Sequence, residues 1–309
     1  YKKNTKIGIL SKNCAHWAIA DLAIMMAGMV SVPIYVTANR DTISYVIKHA
    51  DIKAIFVGKL DDTIEAEAAI DIDILRIALP YPTISAQVAF TDWLANYSAS
   101  TDIYQPAIDD VVTIVYTSGS TGHPKGVCSS HRAILSALLQ WMVVGRGRTI
   151  RDSIEEDDSQ PSCLITVPLF HVTGSHAQFM LSFLSARKMV MMYRWDPEEA
   201  LKLVEEEKIT SLSGVPTMTL EVMRSEKREN YDLSSLKELS GGGAARPSSH
   251  VQQLQDEFPN TNPGLGYGLT ETNAAGAVIS GEEYLLRPGS TGKPTPPLTE
   301  IKIIKENGQ

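Results

Sequence analysis

Residues 116–127 read Tyr116-Thr117-Ser118-Gly119-Ser120-Thr121-Gly122-His123-Pro124-Lys125-Gly126-Val127, a run of hydroxyls and glycines closed by one lysine. These residue types suit a polyphosphate. Glycine lets backbone N–H groups approach phosphate oxygens closely. Hydroxyls donate further hydrogen bonds, and a lysine adds a mobile point charge. The Walker A loop, G-x-x-x-x-G-K-[ST], is disfavoured: Pro124 precedes the lysine and Gly126 follows it, so the tripeptide that would hold magnesium is missing. A plain Ser/Gly-rich surface loop accounts for the composition but not for a lysine held between proline and glycine. The candidate phosphate-binding residues are Thr117, Ser118, Gly119, Ser120, Thr121, Gly122 and Lys125.

Three further stretches concentrate chemistry. Gly266-Tyr267-Gly268-Leu269-Thr270-Glu271 sets an aromatic ring, a hydroxyl and a carboxylate close together. The ring can stack on a purine, the hydroxyl can bond a phosphate, and the carboxylate suits a hard cation such as Mg²⁺. The plainer alternative is a strand-to-helix turn in which Thr270 and Glu271 only cap. Gly241-Gly242-Gly243-Ala244 carries a large conformational-entropy cost unless another backbone or a flat ligand must come close; a flexible turn is the alternative. His171 follows the apolar run ending at Phe170, where a lone histidine is more often structural than catalytic. His123 is either a loop contributor or an exposed variable position, and His176 lines a pocket or belongs to the core. No G-x-S-x-G elbow is present, and neither Ser118 nor Ser120 has a histidine arranged as a base.

The elements that must position these groups alternate. Strands are expected at Lys6–Leu10, Val30–Val36, Lys53–Val57, Val111–Val115, Cys163–Val167, Ile209–Ser213, Leu236–Ser240 and Glu300–Lys305. Helices are expected at Ala15–Met29, Ile43–Ala50, Ala133–Val144, Pro197–Glu207 and Pro216–Arg224, with Asp196 capping the fourth and Pro197 at its first position. Strands and helices at this spacing imply βαβ units, hence α/β architecture with mostly parallel sheets flanked by helices. The apolar stretch Trp17–Val36 is long enough to cross a bilayer. It contains Asp21, Gly28 and Pro33, and reads better as a helix followed by a strand. The acidic, aperiodic segment Arg151–Gln160 reads as a solvated loop.

Taken in order, these stretches resemble the adenylate-forming, AMP-binding superfamily of acyl-CoA synthetases, luciferases and peptide-synthetase adenylation domains. The loop at 116–127 resembles its phosphate-loop signature, and Pro168-Leu169-Phe170-His171-Val172-Thr173-Gly174 its histidine gate. Gly241–Ala244 resembles its nucleotide-facing strand end, Gly266–Thr272 its adenine and magnesium motif, and Arg287–Pro294 the turn that follows. The resemblance implies the family's large N-terminal domain over residues 1–309, with a smaller β-rich part towards the C-terminal end. It implies ATP, Mg²⁺ and CoA as cofactor and co-substrates. Gly241, Gly242, Gly243, Ala244, Gly266, Tyr267 and Gly268 would face the nucleotide. Thr270 would bond the α-phosphate, Glu271 would ligate Mg²⁺, and His171 would orient the substrate carboxylate.

The expected reaction is that of a fatty-acid–CoA ligase, an acid–thiol ligase that forms an acyl-adenylate and then a thioester. Apolar stretches at Val172–Phe183 and Leu212–Leu220 favour a fatty acid, and no acidic residue between His171 and Leu184 could anchor an amino-acid ammonium. An aryl- or amino-acid-activating domain, or a nucleotide-binding fragment without turnover, are the alternatives. The ribose-binding aspartate, hinge and small C-terminal lid domain of the family do not follow Gln309. The expectation is therefore an incomplete domain with weak or no complete turnover.

The net charge of −8 and the absence of a basic cluster argue against nucleic acid as a partner. The cysteines Cys14, Cys128 and Cys163 lack metal or C-x-x-C spacing and fit reduced thiols in a cytoplasmic protein.

Overall fold

The computed structural model describes residues 1–81, 84–101, 103–117, 122–151 and 160–305. The chain divides into two compact units. The first comprises residues 1–134, 168–172 and 191–194; the second comprises 135–167, 173–190 and 195–309.

The first unit is built on seven strands: β1 (Lys6–Leu10), β2 (Val30–Pro33), β3 (Ile52–Val57), β4 (Leu75–Ala78), β5 (Val88–Ala89), β6 (Val111–Thr117) and β7 (Lys125–Ser130). Their order is β5-β4-β3-β1-β2-β6-β7. Every pairing is parallel except β6 with β7. Parallel strands covered on both faces read as near-continuous apolar runs; β2 is buried at each of its positions, and β1 from Ile7 onward. Helices α1 (Ala15–Met26), α2 (Arg40–His49), α3 (Thr63–Ala69) and α4 (Phe90–Ala95) complete the unit. The side chain of Asn39 caps α2 by accepting from the Thr42 N–H at 3.0 Å, with Asp41 in the first turn and Lys48 in the last, as the helix dipole favours. Ile43, Val46 and Ile47 of α2 then pack with Val32, Val57 and Tyr116 of the sheet.

Helix α5 (His131–Arg151) leads into the second unit, whose strands are β8 (Ser162–Ile165), β9 (Lys188–Met191), β10 (Ser211–Gly214), β11 (Glu238–Gly242), β12 (Asn262–Gly268) and β13 (Gly276–Ser280). Their order is β13-β12-β11-β10-β8-β9. β8, β10, β11 and β12 run parallel, and β13 is antiparallel to β12. Helices α6 (Leu181–Leu184), α7 (Pro197–Glu207), α8 (Pro216–Arg224), α9 (Ser248–Glu257) and α10 (Glu282–Leu286) follow in chain order. On one face Leu265 and Ile279 pack with Val251 of α9 and Tyr284 of α10. On the other, the Trp141 ring of α5 lies so near Gly266 that a Cβ there would meet it at 2.9 Å.

The α/β architecture with mostly parallel sheets flanked by helices is as expected. β1, β3, β8, α7 and α8 fall within a residue or two of their expected bounds, and the Asp196 carboxylate accepts from the Glu199 N–H at 2.9 Å. Other elements differ. Helix α1 stops at Met26, because the chain turns at Gly28 with φ +69°. Helix α5 runs on to Arg151 through two glycines whose missing side chains face open space. Glu300–Lys305 is not a strand: no other strand pairs with it among the described residues, and Ile303 is 92% exposed. β structure beyond residue 262 consists, among the described residues, of β12, β13 and a bridge from Val278 to Lys293. The acidic segment at 152–159 lies outside the described residues. No helix among the described residues is long and apolar enough to cross a membrane, and Cys14, Cys128 and Cys163 are free.

Candidate functional site

In open parallel sheets, ligand-binding groups collect beyond the carboxyl ends of the strands. In the first unit, the loop at 118–124 leaves the carboxyl end of β6 and returns through β7, with Thr117 directly opposite Lys125. Ser118, Gly119, Ser120 and Thr121 lie outside the described residues. Gly122 has φ +117°, a backbone conformation for which glycine is suited, and no atom of the described residues stands within 4 Å of where its side chain would be. Lys125 is exposed, and no carboxylate pairs with it among the described residues. The hairpin was not expected from sequence, because Lys125–Ser130 has no apolar alternation.

His171 belongs to the same unit and sits on a turn that its own N–H closes on the Pro168 carbonyl at 3.0 Å. Asn13, just past β1, accepts from the Leu169 N–H at 2.8 Å and holds that turn. Tyr35, just past β2, packs its ring against Phe170 and His171 at centroid distances of 5.0 and 4.9 Å. The Tyr35 hydroxyl donates to the Tyr116 carbonyl at 2.7 Å, next to the start of the phosphate loop. Burial lowers the pKa of His171, so the imidazole is neutral at neutral pH and can donate to a carboxylate without carrying charge. Asn13 and Tyr35 were not found from sequence, since each acts through a partner far along the chain. Asn13→Ala is expected to lower stability by about 1–3 kcal/mol, the cost of leaving the buried Leu169 N–H without its acceptor. An unchanged denaturant midpoint would show that the turn does not depend on it.

The second unit brings two glycine-rich stretches side by side. β11 and β12 are parallel neighbours in register, with Gly241 opposite Leu265 and Gly242 opposite Gly266. Gly243 and Ala244 follow the carboxyl end of β11, and Tyr267 and Gly268 close β12. The glycines answer different needs. A Cβ at Gly241 would meet the Arg246 guanidinium at 2.6 Å, and one at Gly268 would meet the Ala274 carbonyl at 2.3 Å. Gly243, with φ +76°, is exposed beside Ala244, and its backbone is free to meet a ligand.

Tyr267 is 47% exposed at the end of β12, with a ring face available for stacking. The chain then forms a 3₁₀ turn at Thr270–Thr272. Its Thr272 hydroxyl accepts from the Leu269 N–H at 3.0 Å, so Thr272 rather than Thr270 or Glu271 serves as the local cap. Asn273 and Ala274 both take positive φ, a strained return into β13. Glu271 is exposed, and no donor or cation among the described residues engages its carboxylate. No cluster of His, Cys, Asp and Glu able to hold a metal occurs among the described residues. A single free carboxylate fits magnesium, which is commonly held by one or two carboxylates together with substrate phosphates.

His176 is buried in the π-helical stretch Thr173–Met180, and burial pushes its pKa down to about 4. Its Nδ1 has no hydrogen-bond partner among the described residues. Gln178 on the same stretch donates to the Ser213 carbonyl at 2.6 Å, tying it to β10.

The family model for AMP-binding enzymes matches residues 1–309. A 3-[(3aS,4S,7aS)-7a-methyl-1,5-dioxo-octahydro-1H-inden-4-yl]propanoyl:CoA ligase of Mycobacterium tuberculosis is 28% identical over 298 residues, spanning 94% of this chain and 57% of that protein. 4-Coumarate–CoA ligase-like 9 of Arabidopsis thaliana is 28% identical over 301 residues, spanning 96% of this chain and 50% of its own length. The chain thus spans about half the length of these curated relatives. The inhibitor-bound N-terminal domain of FACL13 from Mycobacterium tuberculosis shares the fold, with a TM-score of 0.83 at 22% identity over 99% of this chain and 73% of that one. With its motifs at the ends of the strands and the family match running from its first residue to its last, the chain belongs to the AMP-binding enzyme family.

Proposed function

We propose that the chain binds ATP and activates a carboxylic acid as its acyl-adenylate, the acyl group then passing to the thiol of CoA. The observation that carries this reading is the β6–β7 loop with its exposed Lys125, which no carboxylate among the described residues pairs, in a chain that belongs to the AMP-binding family. The substrate carboxylate is itself the nucleophile: it attacks the α-phosphorus, pyrophosphate leaves, and CoA sulfur later displaces AMP. The protein needs no nucleophile of its own. It must hold the carboxylate in line and offset the charge developing on pyrophosphate.

Lys125 and the hydroxyls and backbone N–H groups of residues 117–122 take the β- and γ-phosphates. Neutral His171, braced by Tyr35, orients the carboxylate. Tyr267 stacks on the purine, Gly241–Ala244 and Gly266–Gly268 offer backbone to the nucleotide, and Thr270 bonds the α-phosphate. Glu271 would hold Mg²⁺, which when bound neutralises phosphate charge.

The acid is apolar on this reading, with a fatty acid as the first choice. The stretch from Gly174 to Met180 is largely buried and carries no acidic residue to anchor an ammonium. A ring-bearing or aryl acid is the second reading, favoured by the names of the relatives. Carboxylate-dependent ATP–pyrophosphate exchange across straight-chain acids, cinnamic-type acids and amino acids tests both. Each methylene that becomes buried should add up to ~0.8 kcal/mol until the pocket is full. A flat response to chain length with faster exchange on aryl acids favours the second reading, and a preference for a zwitterionic amino acid contradicts both. ATP binding with no exchange on any acid marks a nucleotide-binding module.

A further inference from the structure

Two rings of α2 reach both ends of the phosphate loop. At the outgoing end, Tyr116 is the residue before Thr117; it is 1% exposed, and its hydroxyl lies 2.7 Å from His49 Nδ1. Burial pushes that phenol up to about 12, so it stays protonated. At the returning end, His123 stacks on Tyr45 with centroids 4.7 Å apart and ring planes 16° from parallel. Tyr45 also stacks on His49 at 5.1 Å and 22°, as residues one helical turn apart on a surface can do. The path Tyr116–His49–Tyr45–His123 closes through the backbone at the Thr117–Lys125 pair.

We propose that Tyr45 and His49 are positioning residues that clasp the two described ends of the phosphate loop, Tyr116-Thr117 and His123-Lys125, and so place Thr117 and Lys125 for a polyphosphate. This rests on the reading of the loop as the holder of the β- and γ-phosphates. Holding a loop in its bound arrangement strengthens binding chiefly by removing the ordering cost that the ligand would otherwise meet. The clasp acts where the loop acts, so its loss must weaken ATP and spare AMP, which lacks those two phosphates. A general loss of structure would weaken both alike.

The test is calorimetric binding of ATP and of AMP, with magnesium, to the 309-residue chain and to Tyr45→Ala, Tyr45→Phe and His123→Ala. Aromatic pairs contribute about 0.5–1.5 kcal/mol, so Tyr45→Ala and His123→Ala should each weaken ATP by about three- to tenfold, with AMP unchanged. Tyr45→Phe keeps the stack and should match the parent. The double variant Tyr45→Ala/His123→Ala should lose no more than one single variant, because both remove one contact. Amide hydrogen exchange at Gly122 and His123, without ligand, should speed up in Tyr45→Ala but not in Tyr45→Phe. Unchanged exchange, or an unchanged ratio of ATP to AMP affinity in Tyr45→Ala, overturns the clasp. A parent chain that binds ATP no more tightly than AMP overturns the reading of the loop itself, and the proposal with it.

Discussion

Between about pH 4 and pH 8 the chain is expected to lose up to about 4 kcal/mol of stability through one carboxyl, that of Asp21. Asp21 lies on α1, one helical turn beyond Trp17, and is 1% exposed. Its Oδ1 and the Trp17 Nε1 are both buried without a hydrogen-bond partner among the described residues. Burial pushes the carboxyl from its ordinary 3.8 to about 7, with the nearby Ser31 hydroxyl opposing the rise. A group whose pKa is raised on folding stabilises most when it is protonated in both states. That contribution is complete below the unfolded value and disappears as pH climbs through the folded one, because the folded chain must then bury a charge or remain protonated at a cost. Asp21→Asn keeps the shape and removes the titration. Denaturant melts of the two proteins across this range should diverge as pH rises, with the Asn variant the more stable at pH 8. Parallel curves would show that the carboxyl finds a partner or water that the fold does not reveal.

Such a group is hard to read from sequence. Asp21 sits in the run Trp17–Val36, where its charge spoke against a membrane span. Its burial is set by the packing of α1 against β2, whose Ser31 lies beside it. Elements whose signals are local were legible: α7 opens on Asp196-Pro197, and α8 opens at Pro216 within a residue of its sequence bound. Elements that depend on a distant partner were not. β7 is a strand because β6 lies antiparallel beside it, not because of its own residues. Glu300–Lys305 has the β-branched pattern of a strand and is none.

The same division runs through the site. The loop at 116–127, the glycine stretches and Thr270–Glu271 could be named because their chemistry is concentrated in a few consecutive residues. Asn13, Tyr35, Tyr45 and His49 carry no motif. They matter because the topology sets the ends of β1 and β2, and the face of α2, against a turn and a loop more than 60 residues away in sequence. Arg246 is a similar case: buried in the turn between β11 and α9, it donates to the Gly264 carbonyl at 3.2 Å. Gly241 is glycine in part to leave it room.

Lys125 is the side chain whose loss should cost nucleotide binding most. It stands exposed at the first position of β7, opposite Thr117, and no carboxylate among the described residues neutralises it. A hydrogen bond between an ammonium and a phosphate oxygen contributes about 1.5–3 kcal/mol, so Lys125→Ala is expected to weaken ATP about 10- to 100-fold. Stability should move by no more than about 0.5 kcal/mol, because the side chain packs against little. AMP, without the β- and γ-phosphates, should bind the variant almost as it binds the parent. Lys125→Arg should recover part of the loss, since charge is kept while the compact ammonium is replaced by a planar fork. Glu271→Gln gives the complementary pattern: nucleotide binding should fall where magnesium is present and change little where it is chelated, because a carboxamide is a poor ligand for that ion. Equal loss of ATP and AMP in Lys125→Ala would place the lysine away from the terminal phosphates. No loss of either would remove the β6–β7 loop from the site.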